Sequence, residues 1–357
     1  MTRRERIAIL LAGALATVPE AALADARSEY LSAALQGNLR AYAERYGTAD
    51  PAEVGEDEAV VAARFRDRFL TRGEELPLPD EPFVADVVRT YRDYWVRALL
   101  RESAPDEAED RLLDELEQIL VRQGRPAPAT AADVLEAVGQ EIDAAGFFHI
   151  GGRTRPHLEL MLWARQDTTR YDVSLTDGTR PVTVVFVGDF LVKGWAHFAT
   201  FGRASTGGWA TRDALFCLVD DYDLESERFR VSYLRHETRH FADYELFPAL
   251  EQTDLEYRGK LTELIFARDS LYDLLAHFAA AGSPNPDAPH AYANFAVMRD
   301  MSREVFGEEL VQDGQRWPTV DEERIHAAAR TLLERSTRAL EADGAETTRG
   351  VVVDSAR

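Results

Sequence analysis

The spacing of apolar residues changes twice along this chain of 357 residues, and these changes limit the folds available to it. From about residue 27 to 145, apolar side chains recur three and four positions apart, as on one face of a helix. Helical spacing returns near residue 227 and continues to about 341. Short β-prone runs lie between, at 157–164, 171–175, 182–191 and 214–219. We therefore predict an α+β fold, with a small sheet between two groups of helices.

The composition excludes several classes of function. A net charge of -22 argues against binding to nucleic acid or to anionic lipid surfaces. No apolar run approaches the roughly 20 residues that a membrane-spanning helix needs, so we expect no membrane span. A single cysteine, Cys217, excludes an internal disulfide, and stability must come from the hydrophobic core. The sequence carries no signal of oligomeric state.

The N-terminus has the three parts of a secretory signal peptide in the right order. Three arginines, at positions 3, 4 and 6, precede an apolar run over 7–16, and Ala22-Leu23-Ala24 forms a small-residue cleavage site. We predict a signal peptide over 1–24, cleavage after Ala24, and a periplasmic or secreted protein. The tail over 342–357 has no periodic apolar face, so we expect it to be disordered.

Residues 236 to 240 read His-Glu-Thr-Arg-His, which is the HExxH pattern. Residues four apart share one face of a helix, so His236 and His240 can converge on one cation, most simply Zn²⁺. Glu237 lies beside them, where a carboxylate can act as general base on a metal-bound water. The pattern therefore predicts a catalytic zinc site rather than a purely structural one, which needs four closed ligands and no base.

The sequence around the motif favours the helix that this chemistry requires. Phe229, Leu234, Phe241 and Tyr244 can form an apolar stripe, and Pro248 ends the run. The alternative is a chance match, with two histidines and a glutamate on a solvated helix face.

The segment from about Ala214 to Ala280 resembles gluzincin-type zinc metallopeptidases, in which a ligand glutamate on the next helix follows HExxH. The resemblance implies that the strand at 214–219 is an edge strand that pairs with an extended peptide or protein substrate. On the basis of this resemblance, we predict a helical region over 25–145 and a zincin-like metallopeptidase domain over 146–341.

Two glutamates qualify as the third ligand, and both lie on a helix predicted over 253–280. An equal helical rise on either side of the turn at Pro248 favours Glu263. Glu256 has a structural explanation in a capping box, Thr253-Asp254-Leu255-Glu256, and in a salt bridge to Lys260. However, Gly259 follows Glu256 by three positions, where the gluzincin pattern has a small residue. Both glutamates remain candidates.

Other residues are candidates for supporting roles. His290 and Tyr292, which follow a loop over 282–289, can supply a hydrogen-bond donor to the oxyanion. Cys217 is a rival metal ligand, although a buried thiol in an apolar run is the commoner arrangement. Asp243 can accept a hydrogen bond from an imidazole, but an exposed helix carboxylate is the simpler expectation.

Taken together, the sequence predicts an exported zinc metallopeptidase with a peptide or protein substrate. One alternative keeps the zinc and hydrolyses a non-peptide amide or ester. The other is a non-catalytic exported binding or scaffold protein, in which the N-terminal helices carry the function.

Overall fold

The computed structural model describes residues 27–47, 56–204, 207–211, 214–219, 222–286, 288–311 and 314–344. The predicted signal peptide, its cleavage site and the tail beyond residue 344 lie outside these residues. The described residues form two compact units. One holds those up to Gln166 and from Val187 to residue 204, and the other those of Asp167–Phe186 and from Gly207 onward. The predicted boundaries at residues 145 and 341 remain predictions.

The first unit is mainly helical, as the apolar spacing predicts. Its helices are α1 (Arg27–Leu35), α2 (Arg40–Tyr46), α3 (Glu56–Phe65), α4 (Pro82–Leu100), α5 (Pro105–Arg122), α6 (Ala131–Ala144) and α7 (Gly194–Ala199), and α3 continues as a π-helical turn, Arg66–Leu70. Helix α4 begins with Pro82, which has no backbone N–H to leave unpaired, and Glu81 accepts the Val84 N–H at 2.6 Å. Phe65, Trp95 and Leu112 are completely buried in the core of this unit.

The sheet has five strands in the order β1-β2-β3-β5-β4. They are β1 (Phe148–Thr154), β2 (His157–Leu175), β3 (Gly178–Lys193), β4 (Gly208–Ala210) and β5 (Leu215–Leu218). The two runs predicted at 157–164 and 171–175 are one continuous strand, β2, which passes from one unit into the other, as β3 does. The predicted edge strand, β5, is interior, because β4 pairs with it antiparallel and is the last strand of the sheet among the described residues. The α+β prediction is confirmed, and the edge-strand prediction is wrong.

Helices complete the second unit. They are α8 (His236–Leu246), α9 (Gln252–Phe266), α10 (Leu271–Ala281), α11 (Pro289–Phe306) and α12 (Glu322–Asp343), with a π-helical segment, Arg228–Arg235, running directly into α8 and a 3₁₀ turn, Gly314–Thr319, before α12. Helix α9 is central, since it packs against α8, α11 and α12 and is buried from Thr253 to Ile265. The prediction of a single helix over 253–280 is wrong, because α9 ends at Phe266 and α10 begins at Leu271.

Within the described ranges, no helix is both long and apolar enough to cross a membrane.

Candidate metal centre

The HExxH residues lie in the first turns of α8 and are buried rather than solvated. The helical segment before them is fixed by aromatic packing, because Phe229 and Tyr233 pack with Leu215 of β5 in one apolar cluster. His236, Glu237 and His240 are 3%, 2% and 1% exposed. This burial contradicts the solvated helix face that the chance-match alternative required.

Helix α9 brings Glu256 to the two histidines. Nε2 of His236 lies 3.6 Å from Oε2 of Glu256, and Nε2 of His240 lies 3.9 Å from Oε1 of the same carboxylate. Each of the three residues offers a ligand atom within 4.8 Å of the other two. This buried His236-His240-Glu256 group could hold a metal ion.

The hydrogen bonding around the group fits a cation. Within the described part of the chain, Nε2 of His236 and Nε2 of His240 are buried and have no hydrogen-bond partner. Buried polar atoms are normally paired, and two unpartnered imidazole nitrogens that face one carboxylate form a donor set that a metal ion can use. Glu237, one residue along α8, also has an unpartnered buried oxygen, Oε2, at 3.5 Å from Nδ1 of His240.

Glu263 occupies a different position from Glu256. Its Oε1 lies 2.7 Å from Nδ1 of His236, on the side of the ring away from the Glu256 carboxylate. A carboxylate that accepts the Nδ1–H leaves the Nε2 lone pair free for a metal, which is the usual outer contact of a ligand histidine. The helix rise favours Glu263, which contacts Nδ1 of His236, whereas Glu256 belongs to the group that could hold a metal ion.

The two glutamates make the centre attractive to positive charge. Burial alone lowers the pKa of His236, but the carboxylates of Glu256 and Glu263 outweigh burial and raise the pKa to about 10. Burial raises the pKa of Glu256, but the imidazoles of His290 and His236 hold it well below its usual value. Both pKa shifts have the same cause, which is the attraction between the ionised carboxylates and positive charge at the imidazoles.

Gly259 allows α9 to approach the first histidine closely. A Cβ on Gly259 would lie 2.7 Å from Cε1 and from Nε2 of His236. A Cβ atom is essentially never found within 3.0 Å of a non-bonded heavy atom, so any larger residue must displace the ring. The small residue three positions after Glu256 thus has a direct steric reason.

His290 and Lys260 are the basic neighbours of Glu256. Nδ1 of His290 lies 2.9 Å from Oε2 of Glu256, and Nζ of Lys260 lies 3.8 Å from the same oxygen. His290 is in the first turn of α11 and its side chain is 24% exposed, so it connects the buried group with solvent.

The predicted capping box is wrong, because α9 begins at Gln252, with Glu251 at its N-cap.

Two other candidates, Tyr292 and Cys217, are buried in apolar clusters. Tyr292 is buried in the apolar core formed by α9 to α12, with its ring 6.0 Å from that of Phe295. Cys217 packs in the cluster around Phe229 and Tyr233, and among the described residues the group that could hold a metal ion does not include it.

Asp243 is buried and ion-paired, not exposed as expected. It is 0% exposed, and its two oxygens accept hydrogen bonds from Nη2 and Nε of Arg258, both at 2.8 Å. Arg258 could not be predicted from the sequence, because an arginine within a helical run is normally solvated.

Tyr233 is a second residue that the sequence analysis missed. It is 2% exposed, and its hydroxyl has no hydrogen-bond partner among the described residues. Burial, together with the nearby Cys217 and Glu237, raises the pKa of Tyr233 well above its usual value of 10. Its only sequence signal is its position three residues before His236, which is one helical turn.

Comparisons of this chain with protein-family models, with curated proteins and with solved structures gave no match. The function must therefore be argued from the site itself.

Proposed function

We propose that this protein is a zinc-dependent hydrolase that cleaves peptide bonds, with His236, His240 and Glu256 as the metal ligands. The observation that carries the proposal is the pair of buried Nε2 atoms that face the Glu256 carboxylate and have no hydrogen-bond partner among the described residues, with a second buried carboxylate, Glu237, adjacent. Three protein ligands are typical of catalytic zinc sites, whereas structural sites are closed by four.

When bound, zinc would supply Lewis acidity, polarising a scissile carbonyl and making water in the site more acidic. Glu237 is the general base that takes the proton of the attacking water and passes it to the leaving amine. Its unpartnered Oε2 provides the acceptor for that proton. Glu263 holds His236 in the tautomer that presents Nε2, through its contact with Nδ1.

His290 is the residue we propose at the entrance of the site. Its side chain contacts Glu256 and is partly exposed, so it can donate a hydrogen bond to an oxyanion that forms beside the group.

Export is part of the proposal and rests on the sequence of residues 1 to 24 alone. We expect residues 1–24, fused to a reporter that is active only outside the cytoplasm, to produce reporter activity. Replacing Arg3, Arg4 and Arg6 with glutamate removes the basic segment and is expected to abolish it. A reporter that stays inactive with the native segment contradicts export.

The test uses the chain from Asp25 onward, the expected mature N-terminus. Bound zinc is measured by elemental analysis, and activity is measured on unfolded casein and on a panel of small esters and amides. We expect about one zinc per chain with casein cleavage, loss of both in His236→Ala, and zinc without cleavage in Glu237→Gln. Removal of a catalytic general base costs about 10²- to 10⁴-fold in rate.

Glu245→Gln is the matched control, because Glu245 lies on the same helix and its side chain is 55% exposed. It is expected to keep both zinc and activity. Cleavage of esters or small amides without casein would favour a non-peptide substrate. A wild-type protein that takes up no zinc after reconstitution would contradict the hydrolase and favour the scaffold protein.

A further inference from the structure

A chain of buried charges joins the two helices that supply the metal-binding group. Asp243 of α8 lies between two guanidinium groups, that of Arg258 on α9 and that of Arg239 on α8, with an Arg239 Nη2–Asp243 Oδ1 distance of 2.7 Å. Arg258 also donates through Nη1 to Ser336 Oγ and Thr337 Oγ1 of α12, at 3.1 and 3.0 Å. Arg258 thus links α9 to both α8 and α12.

The position of this link relative to the ligands is specific. Asp243 is three residues after His240 and seven after His236, so it lies on the same face of α8 as the two imidazoles. Arg258 is two residues after Glu256, about 200° around α9 at about 100° per residue. Glu256 and Arg258 thus leave α9 in different directions, yet the carboxylate of Glu256 lies near the histidines of α8 and the guanidinium of Arg258 is bound to Asp243 of the same helix.

Such an arrangement resists rotation of α9 about its own axis. A small rotation would carry Glu256 away from His236 and His240, and metal sites need their ligands held to within about 0.5 Å. Glu263 and Gly259 lie on the same side of α9 as Glu256. Their close approach to the His236 ring fixes the position of α9 next to α8. The bidentate pair adds the angular constraint, because a guanidinium and a carboxylate in two parallel hydrogen bonds have a fixed mutual orientation.

The burial of these charges favours a positioning role over a merely stabilising one. Arg258 is 1% exposed and Asp243 is 0% exposed. Removing a carboxylate and a guanidinium from water costs as much as their attraction returns, so apolar residues often serve stability equally well at such sites. We propose that Arg258 is a positioning residue for the metal centre and sets the orientation of Glu256 through its pair with Asp243. This inference rests on the His236-His240-Glu256 group of the proposed function.

The experiment compares metal binding with folding in Arg258→Met and Arg258→Lys. Methionine removes the charge while Asp243 keeps its ion pair with Arg239, and lysine keeps the charge but cannot form the bidentate contact. Zinc affinity is measured by competition with a chelating dye. The visible spectrum of bound cobalt(II), whose intensity depends on coordination geometry, reports the arrangement of the ligands.

We expect zinc binding weakened about 10- to 100-fold in Arg258→Met, the range for residues that orient metal ligands. Arg258→Lys is expected to show a smaller loss, and both variants an altered cobalt spectrum. The matched control is Arg68→Met, because Arg68 forms a bidentate, mostly buried pair with Glu74 in the first unit. It is expected to alter stability to urea without changing zinc affinity or the cobalt spectrum.

The possible results separate this inference from the proposed function. Wild-type affinity and spectrum in the folded variants would overturn the positioning role, and Arg258→Lys provides that test if Arg258→Met does not fold. A wild-type protein that binds zinc but hydrolyses nothing would overturn the proposed function alone. A wild-type protein that binds no zinc would overturn both.

Discussion

At the residue scale, His236 contacts two glutamates through different parts of its ring, and the two contacts predict different losses. Oε2 of Glu256 lies near Nε2, while Oε1 of Glu263 lies at Nδ1. We expect Glu256→Ala to abolish stoichiometric zinc binding, because it removes one of the three proposed ligands. Glu263→Ala is expected to weaken zinc binding about 10- to 100-fold, because it removes only the residue that orients His236. Competition titrations with a chelating dye measure both.

The conservative variants Glu256→Gln and Glu263→Gln distinguish the loss of an anionic ligand from the loss of a hydrogen-bond acceptor. Glutamine at 263 keeps an acceptor for the Nδ1–H and is expected to retain most of the affinity. Glutamine at 256 loses the anionic ligand and is expected to bind little zinc. Stronger zinc binding by Glu256→Ala than by Glu263→Ala would reverse the assignment and make Glu263 the ligand.

Gly259 predicts a steric effect that needs no loss of a polar group. A methyl group at position 259 would come within 2.7 Å of the His236 ring, so Gly259→Ala is expected to displace the ring and weaken zinc binding about tenfold or more. Gly314→Ala is the control, since a Cβ there meets nothing within 4 Å. Zinc affinity unchanged in Gly259→Ala would show that the ring can move without cost.

These residues also show how much of the site the sequence could predict. His236, Glu237 and His240 follow from spacing on one helix, which is local information. The third ligand depends on how α9 meets α8, and counting helical rise does not include the side chains that determine this contact. The same limit hid Arg258, whose partners Asp243 and Ser336 lie 15 and 78 residues away in the chain.

At the element scale, the junction of α9 and α10 depends on one carboxylate. Oε1 of Glu227 accepts the backbone N–H of Arg268 at 2.7 Å, and Oε2 accepts both the N–H and the hydroxyl of Ser270 at 2.7 Å. These bonds pair groups that a continuous helix would pair internally, so they explain the break inside the helix predicted over 253–280.

Glu227→Gln is therefore expected to lower the free energy of unfolding. Hydrogen bonds to a charged group contribute about 1.5 to 3 kcal/mol, and the partial exposure of Glu227 reduces this to about 1 kcal/mol. Urea denaturation at pH 7 measures the change. Glu323→Gln is the control, because Glu323 also contacts Arg268 but its side chain is 75% exposed, and we expect no measurable effect. Equal stability of Glu227→Gln and wild type would mean that the junction does not depend on the charge.

The strands show a similar division between local and distant causes. The alternating and apolar runs at 182–191 and 214–219 were found because β3 and β5 carry that signal themselves. Strand β4 was missed because three residues carry almost no pattern, and it exists through its pairing with β5. That pairing also makes β5 an interior strand, which its own sequence does not reveal.

At the scale of the whole molecule, buried carboxyl groups are not confined to the second unit. The first unit contains the buried carboxyl group of Glu159. Oε1 of Glu159 accepts the backbone N–H groups of Trp195 and Leu160, at 2.9 and 3.1 Å. Burial is the largest influence and raises the pKa of Glu159 from 4.5 to about 7, although these hydrogen bonds lower it. The folded protein therefore binds this proton more tightly than the unfolded chain does.

The sign of the pH dependence follows from this difference. The contribution of Glu159 to stability is fully present below pH 4.5 and is lost as the pH rises through about 7, where the folded protein must bury a carboxylate. At about 1.4 kcal/mol per unit of pKa, the loss is about 3 kcal/mol. Glu159→Gln keeps the acceptor and carries no charge, so the difference in the free energy of unfolding between variant and wild type is expected to grow in favour of the variant between pH 5 and 8. Urea denaturation across this range measures the difference, which cancels the titration of the many surface carboxylates common to both proteins. A constant difference would mean that Glu159 keeps an ordinary pKa because water reaches it in solution.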